Sequence, residues 1–114
     1  MAKKMPKAIY QAVFDRAESD ARYPACEAAI FGVCSFLATE WHHRKMRSQG
    51  GGHEVVNGLA VCADCHRFFH ENPVLAYHKG WLVKSHSDPA SAHVQRRGRL
   101  VILCEDGSFE EVTA

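Results

Sequence analysis

No run of eighteen apolar residues occurs in the 114-residue chain, so the sequence offers no membrane span. The basic start M-A-K-K-M-P-K is not followed by an apolar segment, so it does not read as a secretory signal, and a cytoplasmic location is expected. Net charge is scarce as well. It is only +1 with neutral histidines, which argues against a polybasic, histone-like protein. There is no internal repeat and no low-complexity segment. The length suits one small domain, and although 46% of residues are hydrophobic its core will be thin. A bound metal would offset that shortage.

Cysteine is present in an odd number, five. Cys62 and Cys65 form C-x-x-C beside several histidines, which reads as metal binding in a reducing compartment rather than a disulfide framework. The surrounding stretch, residues 41–70, reads W-H-H-R-K-M-R-S-Q-G-G-G-H-E-V-V-N-G-L-A-V-C-A-D-C-H-R-F-F-H. His66 and His70 are four apart, so on a helix they share one face and can grip one ion. His42 and His43 are adjacent, so on a strand they point to opposite faces. One can join the metal while the other stands free as a base. Between the two histidine pairs lies a basic loop with three glycines, suited to a sharp reversal and to close approach by phosphate. Asn57-Gly58 is a turn dipeptide, residues 59–61 an apolar strand, and residues 65–71 a helix.

This constellation resembles the HNH endonucleases. The matching elements are the His42-His43 pair, Asn57, His66 nine residues later and His70 four after that. The glycine-rich loop, V-C-A-D-C-H-R and the following N-P-V-L-A-Y-H-K-G-W-L-V resemble a phage-type branch. The resemblance implies an α+β fold: a ββα-metal nuclease core with a zinc knuckle, an N-terminal helix and a C-terminal β-hairpin. It implies that His43 is the general base and that His42 and His66 hold a divalent ion (Mg, Mn, Ni or Zn). His70 would complete the site or contact the scissile phosphate. Asn57 would hold the loop and orient the base. Arg44, with Lys45 and Arg47, would contact DNA phosphates. Relatives often carry a second C-x-x-C that joins the first around a structural zinc. Here Ala29 stands three residues after Cys26. Either Cys34 completes a four-thiolate site with Cys26, Cys62 and Cys65, the reading adopted because zinc accepts varied loop lengths, or Cys34 is an ordinary buried thiol. DNA is the implied partner, and a terminase of the genome-packaging machinery is a further one. No separate sequence-reading domain fits, so low sequence specificity is expected. The alternative is a noncatalytic zinc knuckle that binds nucleic acid or a partner protein.

Around that stretch, residues 7–17 carry apolar positions at helical spacing, and the helix is placed at 7–19. The knuckle and core span 26–72, with the first core strand at 36–43 and Trp41 packed under the loop or against the helix. Asn72-Pro73 ends the helix, and residues 74–78 form another, capped by Lys79-Gly80. Residues 81–83 look like a short strand and 85–92 a linker. The extension, 94–114, holds a hairpin with strands at 100–104 and 109–112. Basic residues cluster at Lys3, Lys4 and Lys7, in the loop, and at Arg96, Arg97 and Arg99; this allows a local basic face with modest, salt-sensitive DNA affinity. His53, His78, His86 and His93 have no partner spacing and read as surface or turn histidines. Cys104 reads as a core or edge thiol.

Overall fold

A computed structural model describes residues 4–113. Lys3, of the first basic cluster, lies outside them. Among the described residues three α-helices and two small antiparallel sheets make a mixed α/β domain with a radius of gyration of 12.8 Å. Helix α1 (Lys7–Glu18) turns Val13, Arg16 and Ala17 inward. Strand β1 (Glu40–His43) pairs with β2 (Gly58–Val61), with Trp41 opposite Ala60, His42 opposite Leu59 and His43 opposite Gly58. Then come α2 (Ala63–Glu71), α3 (Pro73–Lys79) and a three-stranded sheet of β3 (Val94–Arg96), β4 (Arg99–Leu103) and β5 (Phe109–Glu111).

Strand β2 divides the interior. All four of its residues are buried, and the period of two sends Leu59 and Val61 to one side and Ala60 to the other. Leu59 and Val61 join the larger cluster with Cys26, Cys62, Phe69, Ala76, Trp81, Val94 and Leu103. Ala60 joins the smaller one with Val13, Ala17, Ala38 and Val55, against which Trp41 packs. Gly58 is required here: a Cβ would lie 2.3 Å from Trp41 Cζ2.

Several boundaries differ from the sequence reading. The first strand begins at Glu40, because residues 36–39 turn back toward the segment before them; only an isolated bridge, Ala25 to Leu37, forms there. The turn expected at Asn57-Gly58 lies just before it: Asn57 ends a short helical turn and Gly58 is already extended as the first residue of β2. Residues 81–83 are buried but do not pair as a strand; instead Val83 N–H donates to the Arg44 carbonyl (2.8 Å). The hairpin is present, joined by β3 as a third strand. Helix α3 begins one residue earlier than expected, with Pro73 at its first turn, and closes on left-handed Gly80.

Of the basic cluster at 96–99, Arg96 is buried and Arg97 partly buried, while Arg99 stays exposed beside Glu111. Glu27, fully buried, accepts from Arg16 Nε and Nη2 (both 2.8 Å), from Arg96 Nε (2.7 Å) and from Ala60 N–H (3.0 Å). Arg96 and Arg97 also bind Asp20, and Arg97 reaches the carbonyls of Ala17 and Ala25. One carboxylate thus ties α1, β2 and β3 together. Burial by itself would raise the Glu27 pKa, but the two guanidiniums overcome it and leave it below 4.5. Hydrogen bonding to Arg96 brings Asp20 down to about 2.

Removing one charge from a buried cluster leaves the others uncompensated. Glu27→Gln is therefore expected to lower unfolding free energy by about 3–5 kcal/mol, read from the urea midpoint. Because the folded-state pKa of Glu27 is depressed, its contribution is complete above pH 4.5 and is lost as pH falls through the folded value. The acid limb of the stability profile should accordingly be shallower in Glu27→Gln than in the wild type.

Candidate metal centres and active site

The four sulfurs of Cys26, Cys34, Cys62 and Cys65 lie within 4.8 Å of one another, close enough to hold a metal ion. Three chain segments deliver them. Cys62 caps α2, its sulfur accepting from Cys65 N–H (3.3 Å), so the helix start fixes both thiols. Around Cys26, backbone N–H groups of Ala28 and Ala29 point at its sulfur, and Ala29 takes a left-handed φ of 50°. The chain then turns over residues 30–34, where Val33 and Cys34 N–H donate to the Ile30 carbonyl, and so brings Cys34 within reach of the other three sulfurs. Phe36 N–H donates to Cys34 Sγ and Ser35 N–H to Cys62 Sγ. Such donors stabilise thiolates, and a tetrahedral four-sulfur set suits zinc. In the absence of a cation the thiols cannot all ionise together. The hydrogen bond from Cys65 brings Cys26 down to about 5 and pushes Cys65 up, while burial raises Cys34 to about 11.

A second group of potential ligands is separate. Ring nitrogens of His42 on β1 and of His66 and His70 on α2 also lie within 4.8 Å of one another. The contacts of two rings choose the free nitrogen. His42 Nε2 is 2.6 Å from the Trp81 carbonyl, which can only accept, so Nε2 carries the hydrogen and Nδ1 keeps its lone pair. His66 Nδ1 is 2.7 Å from Glu40 Oε1, which leaves Nε2 open. Metal-binding imidazoles are commonly oriented in this manner by a carbonyl or carboxylate on the far nitrogen. Burial lowers the His42 pKa to about 3 and, with His66 nearby, lowers that of His70, so both rings are neutral at physiological pH and could offer a lone pair to an ion. An open depression of about 400 Å³, lined by Glu40, Ala63, His66, Arg67 and His70, leads to the group. Glu40 and Arg67 were not expected from the sequence; Glu40 sits two residues before His42, on the same strand face.

His43 points away from this group, toward Trp41 (ring centroids 4.6 Å apart) and His53 (5.2 Å). It is half-buried; burial, then His53 and Arg47, lower its pKa, so the ring is neutral. Its Nε2 lies 3.1 Å from His53 Nδ1, and His53 Nε2 lies 2.7 Å from Arg47 Nη1. His53 is therefore no isolated turn histidine. Asn57 is buried and staples the loop: Oδ1 accepts from Lys45 N–H (2.7 Å), and Nδ2 donates to the carbonyls of Lys45 and Gly52 (both 3.0 Å).

Arg44 requires correction. It is fully buried, and its guanidinium donates to four carbonyls, those of Val56, Gly80, Pro89 and Ala92. It holds the end of β1 to the segment after α3 and cannot touch a phosphate. Lys45 Nζ reaches the Ser87 carbonyl (3.1 Å), while Arg47 stays exposed. Among the described residues no helix is long and apolar enough to cross a membrane. No protein-family model, curated protein or solved structure matches this chain.

The two candidate ligand sets can be told apart by elemental analysis. Wild-type protein loaded with zinc is expected to hold two ions per chain. His66→Ala should lose one of them. Cys34→Ser should weaken the other by on the order of 100-fold in chelator competition, as thiolate ligation supplies much of the affinity of such sites. An unchanged affinity in Cys34→Ser would make Cys34 an ordinary thiol.

Proposed function

We propose that the protein is a metal-dependent endonuclease of the HNH type, hydrolysing DNA phosphodiester bonds with low sequence specificity. The observation that carries this reading is the convergence of His42 from a strand with His66 and His70 from the following helix, while His43 stays out of the ligand set. In that arrangement β1, β2 and α2 serve as the ββα-metal unit, and the four cysteines as a structural zinc site that secures the start of α2.

Phosphodiester hydrolysis needs an activated water, neutralisation of charge on the phosphorane and help for the leaving 3′-oxygen. A divalent ion held by His42, His66 and His70 would stabilise the charged oxygens when bound. Three imidazoles suit Zn or Ni better than Mg, which prefers oxygen donors. His43 serves as the general base: its lowered pKa keeps the ring in the neutral form that general-base catalysis needs. The Trp81 carbonyl and Glu40 hold two ligand rings in orientation. Asn57 holds the loop that follows the base, and Arg47, on that loop, contacts the DNA backbone, with Lys45 beside it once the ammonium leaves Ser87. Arg67, at the mouth of the depression, adds a cation there. A role beside a terminase in genome packaging follows from the resemblance alone.

The alternative, a noncatalytic zinc module, needs only the four cysteines. It leaves unexplained a second ligand set whose rings are each oriented through the far nitrogen or open to a depression. The two readings separate on supercoiled plasmid with Mg, Mn, Ni or Zn. The wild type should nick or linearise it. His43→Ala should cut at least about 100-fold more slowly while retaining both ions and its circular dichroism spectrum. Cleavage by His43→Ala at the wild-type rate would remove His43 from the mechanism, and retention of DNA without cutting under every ion would favour the module.

A further inference from the structure

The relay from Arg47 through His53 to His43 has a direction. A guanidinium has hydrogens to give and no lone pair to offer. At 2.7 Å from Arg47 Nη1, His53 Nε2 must therefore be the acceptor, and the hydrogen of the neutral His53 ring sits on Nδ1. That nitrogen, 3.1 Å from His43 Nε2, is then the donor. His43 accepts at Nε2 and carries its own hydrogen on Nδ1. Neither nitrogen of His43 is open to deprotonate water: one lone pair is engaged by His53, and the other nitrogen already bears a hydrogen.

We infer that His53 is a positioning residue for His43, and that Arg47 holds the pair in its unreactive polarity until a DNA phosphate draws the guanidinium away. The inference rests on the nuclease reading above. Arg47 is exposed and stands on the basic, glycine-rich loop. A phosphate diester offers it charge-assisted, bidentate hydrogen bonds, a better partner than a neutral imidazole. When Arg47 leaves, His53 Nε2 takes a proton from solvent. The hydrogen on His53 Nδ1 crosses to His43 Nε2, and His43 Nδ1 releases its own to solvent. One proton enters and one leaves, so both rings remain neutral. The contact between the rings persists in reverse, with His43 Nε2–H donating to His53 Nδ1. His43 Nδ1 now presents a lone pair to the attacking water, and its ring is held by a partner on the far nitrogen. His42 is fixed independently by the Trp81 carbonyl, so the reversal leaves the ligand set in place.

Long-range nitrogen–proton spectra of the zinc-loaded, isotope-labelled chain identify which ring nitrogen bears hydrogen. The wild type should show His43 with its hydrogen on Nδ1. Arg47→Met, and the wild type saturated with a short DNA duplex, should each show it on Nε2. The same nitrogen in the wild type and in Arg47→Met overturns the inference. In plasmid cleavage, His53→Phe should lower kcat about 100-fold at unchanged KM, and His53→Asn, whose carbonyl can accept from His43, should recover to within about tenfold of wild type. A His53→Phe variant with wild-type kcat also overturns it. A wild type that cuts nothing with any ion would end the nuclease reading instead, and the spectra would still decide the polarity of the relay.

Discussion

The alternation of side chains along one short strand governs the arrangement of the site. Glu40, His42 and Arg44 face the interior side of β1, toward α2 and the segment after α3. Trp41 and His43 face the other side, toward the smaller core and the loop. The placement of the two adjacent histidines follows from this division. The inward ring joins the helix histidines, the outward ring remains free of them, and the two residues that flank His42 on its own face tie the strand to its neighbours. A shift of one residue in the pairing with β2 would exchange the faces and place Trp41 on the side His42 now occupies.

The strand keeps its register because charged groups are buried on both sides of it. Arg44 closes its end by filling four backbone carbonyls, and the Glu27 carboxylate fixes β2 through Ala60 N–H. Neither arrangement resembles the ordinary interior of a small domain. A guanidinium buried among carbonyls is directional, and its loss would leave those oxygens without donors. The thin apolar core is thus supplemented by hydrogen bonds of fixed geometry as well as by thiols able to bind a cation. This explains how a chain of this length holds imidazoles from a strand and a helix within a few ångströms of each other.

Much of this was legible in the residues. Helical spacing gave α1 and α2, the Asn72-Pro73 break gave the boundary before α3, and the turn residues gave the last hairpin. Cys34 as the fourth thiol of its cluster followed from the resemblance, which implies a four-thiolate zinc site, and from zinc's tolerance of varied loop lengths. The phosphate role that the resemblance implies for Arg44 conflicts with alternation: the period of two that separates His42 from His43 also returns Arg44 to the inner side. Glu40 could have been found by the same count. His53 could not, since a contact across a glycine-rich loop has no periodicity. Residues 81–83 have the composition of a strand, yet they are covered by other elements rather than paired. Glu27, Arg16 and Arg96 lie up to 80 positions from their contacts, as in the bond from Arg96 to the Arg16 carbonyl, and nothing local announces such a cluster.

That bond, together with the bridge from Arg96 to Glu27, joins the first helix to the last sheet. Trp41 through His70 therefore does not form a module that could be lifted out intact or grafted elsewhere. Its geometry leans on flanking segments: Arg16 of α1 donates to the Val55 and Gly58 carbonyls, and Glu27, held by Arg16 and Arg96, accepts from Ala60 N–H. Any protein that carries these thirty residues without the flanking arginines would have to secure the strand by some other means.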